Sequence, residues 1–203
     1  TAKSVEAVDD VAIDEWMGAS PVYTGRMRRL LGIEGDGVDA IMKALQLDVG
    51  FPHQYMDVAW KLTDARHGEF WLLHCGALME TEPHGEKRVI GMCHKIEDPT
   101  FDATAYATNP RARIRPIHRP PRVPADRVPH CHWTIEIDPA NDPVGPATHT
   151  RAVAELPIAQ LTNEWLAERA RIPAVMLPFT VGGSDGAKDL FGLFDDTIAR
   201  LLG

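Results

Sequence analysis

The sequence has few cysteines and no long apolar segment, and both features limit the classes of protein to which the chain can belong. Three cysteines in 203 residues, without any CxxC spacing, exclude a disulfide scaffold and favour a reduced, cytoplasmic protein. No apolar run approaches the roughly 18 residues that span a bilayer. No basic flank precedes an apolar stretch at the N-terminus, so we expect neither a membrane segment nor a signal peptide.

The chain also has too little positive charge for a polyanionic partner. It carries 21 Lys and Arg against 29 Asp and Glu, a formal net charge of −8 at pH 7. Such an acidic field is a poor match for nucleic acid or an anionic membrane. Hydrophobic residues (44%) and charged residues (25%) are near the globular average, which excludes wholesale disorder. We therefore expect a folded protein that handles a small molecule or another protein.

Hydrophobic periodicity predicts a helical layer over residues 1–66 of a single domain that spans residues 1–203. Apolar residues recur at helical spacing after Asp36, which is a candidate helix cap. Pro52 suits the first turn of a further helix, which carries Tyr55 to Leu62.

Residues 67–140 are predicted to form a sheet with an inserted helix. GEFWLLHCGALME and KRVIGMCHKI are typical of a β-hairpin, and RARIRPIH and PHCHWTIEID of two more strands, separated by a proline-rich connection. Between these pairs, DPTFDATAYATNP predicts a helix of about ten residues that is capped by Asp98. The C-terminal part, 141–203, is predicted to be a helical extension that starts with a polar loop, DPANDPVGPATHT. One helix is expected near 154–171, and Pro157 places its start. The expected fold is α+β, with a mainly antiparallel sheet of about four strands packed against helices.

The most specific local motif is His-Cys-His-Trp at 130–133, at the start of a predicted strand. Because side chains alternate along a strand, His130 and His132 share one face and can converge on a divalent metal such as zinc or iron. In the alternative interpretation, one histidine is a solvated strand end and the other packs in the core. The metal needs a further protein ligand, for which the candidates are His94, Cys93, His74 and His53.

Cys75 and Cys93 lie in the two arms of the predicted hairpin, each beside a histidine. Pairing around the turn would let them face each other. That juxtaposition suits a cysteine nucleophile activated by an imidazole, or a mixed Cys/His metal site. Alternatively, each thiol is an inert small hydrophobe in the core.

Six arginines fall within 111–127, against the single acid Asp126. Guanidinium groups bind carboxylates and phosphates through two parallel hydrogen bonds, so this segment can clamp a small anionic substrate. Trp133 either belongs to the core or forms an aromatic wall of that pocket. In the alternative, the arginines pair with surplus acids of the same chain or of a partner subunit. The candidate substrate-binding arginines are Arg113, Arg115, Arg119 and Arg122.

The order of several motifs between Cys93 and Cys131 resembles that in a known family. The motifs are Cys93, Asp98 and Phe101, then Asn109-Pro110, Arg119-Pro120 and Cys131. This pattern resembles the C-terminal half of the L-2-amino-thiazoline-4-carboxylate hydrolase family.

The resemblance implies a sheet packed against helices, related in plan to 4-vinyl-reductase-type and haem-NO-binding ligand domains, in a homodimer. It implies hydrolysis of a C–N bond in a small ring or amidine-like substrate that carries a carboxylate. By position, it makes Cys93, Asp98 and Cys131 the residues to test.

The leading expectation is therefore a hydrolase or lyase that acts on a small anionic, aromatic or heterocyclic molecule. Its nucleophile or metal ligand is Cys93 or Cys75, and His94 and His132 act as general base or as ligands. A metal would polarise the scissile bond and activate water. Two alternatives belong to other classes: a non-catalytic ligand- or cofactor-binding domain, and an accessory subunit that docks a partner through the arginine segment.

Overall fold

A computed structural model describes residues 5–52 and 54–160. Within these residues, four strands form one antiparallel sheet in the order β1-β2-β4-β3, which confirms the predicted α+β fold. The strands are β1 (Met56–Leu62), β2 (His67–Cys75), β3 (Ala112–His118) and β4 (Cys131–Ile137). The helices are α1 (Val5–Leu31), α2 (Val38–Leu45), α3 (Gly76–Thr81), α4 (Glu86–Ile90), α5 (Glu97–Tyr106), α6 (Thr148–Ala154) and α7 (Pro157–Gln160), with a 3₁₀ turn at Glu82–His84 and a π-helix at Gly91–Ile96.

Alternate residues of the strands build one apolar face, and α2 and α5 pack on it. Phe70 of β2 lies opposite Trp133 of β4 with stacked rings 6.3 Å apart, and Phe101 of α5 meets the edge of Trp133 at 4.8 Å. Ile114 and Ile135 pair across β3 and β4 and are fully buried. Each such side chain contributes about 1.5–3 kcal/mol by leaving water, so this face anchors the fold.

The π-helix is held against α1 by a buried carboxylate. Asp9 of α1 is only 2% exposed, and its Oδ1 accepts a hydrogen bond from Arg88 Nη1 at 3.4 Å. Lys95 Nζ lies 3.8 Å from the other carboxylate oxygen. A Cβ at Gly91 would lie 2.8 Å from both oxygens, so the close approach of the two helices requires glycine here.

The predicted hairpin that contains Cys75 and Cys93 is wrong. β2 ends at Cys75, because its Sγ accepts the backbone N–H of Leu78 at 3.4 Å and caps α3. Further along, Val89, Cys93 and Ile96 are buried at helical spacing. This single apolar face of period 3.6 places the second predicted arm in α4 and the π-helix.

The predicted helix that carries Tyr55 to Leu62 is also wrong, since this segment forms β1 and pairs with β2. Its buried residues Val58, Ala59 and Trp60 are consecutive. A short apolar run of this kind fits a strand and a helix equally well, and pairing with β2 decides between them.

Neither aspartate predicted as a cap acts as one, although both helices are confirmed. α2 begins after Gly37, with no side-chain hydrogen bond from Asp36 at its N-cap. α5 continues directly from the π-helix, so its first turn needs no cap from Asp98. The strands predicted from RARIRPIH and PHCHWTIEID are confirmed as β3 and β4.

The C-terminal part is described only as far as residue 160. α6 begins at Thr148, inside a segment predicted to be a loop, and α7 begins at Pro157, where a helix start is predicted. The rest of the predicted extension, 161–203, lies outside the described residues. Within the described part of the chain, no helix combines the length and apolar character needed to cross a membrane.

Candidate functional site

Three buried thiols come together where β2 ends, β4 begins and the π-helix passes. Cys75, Cys93 and Cys131 are 5%, 3% and 5% exposed and belong to one hydrophobic cluster. Burial raises the pKa of the Cys75 thiol to about 11 and that of Cys93 further still. Negative charge on Cys75 or Cys131 would raise the pKa of Cys93 again, so the three groups are electrostatically coupled. At rest, all three are thiols rather than thiolates.

The carboxyl group of Glu97, which has one buried oxygen, acts electrostatically on all three thiols. Glu97 opens α5, and its Oε2 is buried without a hydrogen-bond partner among the described residues. Burial raises its pKa from 4.5 to about 8, against the opposing effect of the Arg119 charge. The Glu97 charge is the leading electrostatic influence, after burial itself, on the pKa of Cys93. The carboxyl group is therefore poised to exchange a proton near neutral pH.

The π-helix brings Cys93 and Glu97 onto the same side of the chain. The two residues are four apart, and a π-helix has more than four residues in each turn, so such positions face nearly the same way. π-helical turns are rare and occur frequently at functional sites. The local backbone thus gives a second, independent sign of function at this position.

Arg119 supplies the positive charge of the site. Its Nη1 donates to Asp98 Oδ1, and its guanidinium carbon lies 5.8 Å from the ring centroid of Trp133. The side chain is 19% exposed, so it borders the buried thiols on one side and the surface on the other. Its charge lowers the pKa of both Cys93 and Glu97, which opposes the effect of burial.

The other candidate arginines bind elsewhere. Arg115 donates two hydrogen bonds to Asp102, at 2.8 and 2.9 Å, and Arg122 donates two to Glu82, at 2.8 and 2.7 Å. Arg113 donates to backbone carbonyls, including that of Ala112 at 2.8 Å. Pairing with acids of the same chain, one of the alternatives from the sequence, thus accounts for Arg115 and Arg122.

The three histidines predicted as metal ligands make three separate contacts. His130 is buried; its Nδ1 accepts the backbone N–H of Cys75 at 3.1 Å, and its Nε2 lies 3.3 Å from Arg122. His132 Nε2 lies 2.8 Å from a Glu69 carboxylate oxygen, on the opposite face of β4 from Trp133. His94 Nε2 donates to the carbonyl of Pro120 at 2.6 Å.

In residues 5–52 and 54–160, no three His, Cys, Asp or Glu side chains are grouped to hold a metal ion. The arrangement of these histidines does not fit the predicted ion, and the remaining candidate ligand His53 lies outside the described residues. Metal binding stays a prediction.

Of the predicted site residues, Cys75, Cys93 and Cys131 come together. Asp98 is connected to them through its hydrogen bond with Arg119, whose charge acts on Cys93. Sequence reasoning missed Glu97. A signal was present, because an acid four residues after a cysteine can share one face of a helix with it. The incorrect strand prediction for this segment concealed that spacing.

The chain matches no protein-family model, and no curated protein or solved structure is significantly similar to it. The resemblance to the L-2-amino-thiazoline-4-carboxylate hydrolase family therefore stays a prediction.

Proposed function

We propose that this chain is a hydrolase that breaks a C–N bond in a small substrate carrying a carboxylate. Cys93 is the nucleophile, Glu97 is the general base and acid, and Arg119 binds the substrate carboxylate. The single observation that carries the proposal is Glu97 Oε2, a buried carboxyl oxygen without a hydrogen-bond partner among the described residues, on a side chain whose charge acts on the buried Cys93 thiol. A purely structural carboxyl group in this position would be a net cost to the fold.

The proposed reaction passes through a covalent intermediate on Cys93. The Glu97 carboxylate takes the thiol proton while Sγ bonds to the electrophilic carbon of an amide or amidine. The C–N bond then breaks, and protonated Glu97 gives its proton to the leaving nitrogen. Water attacks the same carbon next and loses a proton to Glu97. The C–S bond breaks, and Glu97 returns the proton to the Cys93 sulfur, so the net change is the addition of one water to the substrate.

Cys93 suits this role better than the other two thiols. Cys75 Sγ already accepts the backbone N–H of Leu78, which gives it a structural function as a helix cap. Cys131 is the first residue of β4 and belongs to the apolar face of the sheet. Cys93 is the thiol that combines a π-helical position, a neighbouring acid in Glu97 and the electrostatic influence of Arg119.

Asp98 has a supporting role in this proposal. The resemblance to the hydrolase family makes it a residue to test, and its contact with Arg119 gives that test a physical meaning. Asp98 orients the guanidinium group, which remains partly exposed for a substrate carboxylate. The resemblance also supports the C–N bond as the target.

Turnover of a panel of small carboxylates with amide or amidine groups tests the proposal, with L-2-amino-thiazoline-4-carboxylate as the first member. Mass spectrometry should detect one product of the substrate mass plus one water from a cyclic substrate, or two fragments whose masses add up to that value from an open-chain one. Cys93→Ala should abolish this product, and Glu97→Gln should slow its formation by about 10²- to 10⁴-fold. Cys75→Ala is the matched control, since it removes a neighbouring buried thiol but should retain turnover. Full turnover by Cys93→Ala would overturn the proposal.

We also retain three finer proposals from the sequence. Elemental analysis for zinc and iron tests the predicted metal: a stoichiometric ion that is lost in His132→Ala would support it, and unchanged content would not. Analytical ultracentrifugation tests the homodimer that the family resemblance implies. Cell fractionation tests the cytoplasmic location suggested by cysteine usage.

A further inference from the structure

Two neighbouring pairs of residues connect the π-helix to the first turn of α5, and only one of them belongs to the site of the thiols. Cys93 and Glu97 form the pair assigned above to the chemistry. His94 and Asp98 form a second pair with the same spacing of four, one position further along the chain. Both members of the second pair bind the segment that follows β3: Asp98 accepts from the side chain of Arg119, and His94 donates to the backbone of the next residue, Pro120.

We propose that His94 is a positioning residue, which holds the Pro120 carbonyl and thereby fixes the Arg119 guanidinium over Trp133 beside Cys93. This inference rests on the proposed function, because it gives Arg119 its role there. With its backbone held by His94 and its side chain by Asp98, Arg119 is anchored at both ends on a single helix.

A histidine is well suited to this contact. The Pro120 carbonyl can only accept, so Nε2 of His94 carries the proton. That N–H is present in both the neutral and the protonated imidazole, and the tether therefore survives a change in the charge of the ring. Its length of 2.6 Å and its partial burial keep the loop close to the π-helix.

The position of Arg119 matters because its charge opposes the effect of burial on the reacting groups. It lowers the pKa of both Cys93 and Glu97. Coulomb interactions weaken with distance, so a guanidinium that swings out into solvent loses much of this influence. Without the tether, we expect fewer Cys93 thiolates at any given pH.

The rate at which iodoacetamide alkylates Cys93, followed by peptide mass spectrometry from pH 7 to 10, tests this role without a known substrate. His94→Ala should lower the rate on the order of tenfold at every pH. His94→Gln should recover part of the loss, since its amide N–H can reach the same carbonyl. His84→Ala, at an exposed histidine in the 3₁₀ turn, is the control and should leave the rate unchanged.

A merely structural tether predicts the opposite direction. If His94 only closes the loop over the core, its removal exposes the thiol, and alkylation becomes faster. Arg119→Gln should slow alkylation as His94→Ala does. The double variant should be no slower than Arg119→Gln alone, because both changes remove the same effect of the Arg119 charge on Cys93. A faster or unchanged rate in His94→Ala, or additive losses in the double variant, would overturn the inference.

The outcome is separable from that of the proposed function. Slower alkylation in His94→Ala without turnover of any substrate in the panel would leave the positioning role standing and remove the hydrolase. Turnover that depends on Cys93, together with an alkylation rate that His94→Ala leaves unchanged, would support the hydrolase and remove the positioning role. A wild-type Cys93 that fails to react up to pH 10 would count against both.

Discussion

Replacing Glu97 by glutamine should make the protein more stable in mild alkali. The substitution keeps the shape of the side chain and removes its ability to ionise. In the folded protein, burial raises the pKa of Glu97 to about 8 from its ordinary 4.5. The folded state therefore binds more protons than the unfolded state between these values, and the free energy of unfolding falls as pH rises through this window. Glutamine has no such dependence.

The two pKa values set the size of the effect. At about 1.4 kcal/mol for each tenfold difference in proton affinity, ionisation of Glu97 costs the folded protein at most about 5 kcal/mol above pH 9. At pH 7, where only the unfolded state is ionised, the cost is about 3 kcal/mol on the same basis. Net stabilities of domains are about 5–15 kcal/mol, so an effect of this size is easily measured.

Urea denaturation at pH 5 and at pH 8.5 measures the difference. The advantage of Glu97→Gln over wild type should be small at pH 5 and should grow by several kcal/mol at pH 8.5, reported by the denaturation midpoint at constant m-value. Glu86→Gln, which neutralises an exposed acid of α4, is the control for a general charge effect. Identical pH dependence in wild type and Glu97→Gln would refute the assignment of a buried, ionisable carboxyl group.

Two further predictions concern the contact of Gly91 with Asp9 and the protonation of His130. Gly91→Ala should lower the free energy of unfolding by about 1–3 kcal/mol in urea, because its Cβ would lie 2.8 Å from both carboxylate oxygens of Asp9. Gly145→Ala is its control, since a Cβ there has no neighbour within 4 Å among the described residues, and equal effects would contradict the explanation. Burial and the charge of Arg122 lower the pKa of His130 from 6.5, so the unfolded state binds more protons in acid and stability falls as pH drops below about 6.5. His130→Asn should flatten that acid loss in thermal unfolding, and parallel curves for the two proteins would contradict this.

Strands with strict alternation could be predicted from the sequence. In β4, Cys131, Trp133, Ile135 and Ile137 are buried, with more exposed residues between them, and in β3 Ala112 and Ile114 behave in the same way. A burial period of two residues fits a strand and does not fit a helix. The segment around Val58 lacks it because three consecutive residues are buried, so only its pairing with β2 defines the strand.

The candidate site was only partly accessible from the sequence. Cysteine and histidine attract attention by residue type, which identified Cys75 and Cys93 but also gave the histidines a common role that their contacts do not support. Glu97 is one of 29 acidic residues, and its importance comes from burial, a property of the folded chain. The electrostatic effect of Arg119 on the thiols likewise depends on contacts across the fold that local patterns do not encode.

The π-helix lets this segment hold one more residue than an α-helix without changing which side chains share a face. Relative to an α-helix, a π-helical turn accommodates one additional residue. Deleting one residue from Gly91–Ile96, such as the exposed Lys95, would let this segment close as a regular α-helix in which Cys93 and Glu97 are three positions apart. Residues three apart still share one face of an α-helix, and the same holds for His94 and Asp98. A single codon lost here would therefore remove the Lys95 contact with Asp9 while keeping both pairs in register.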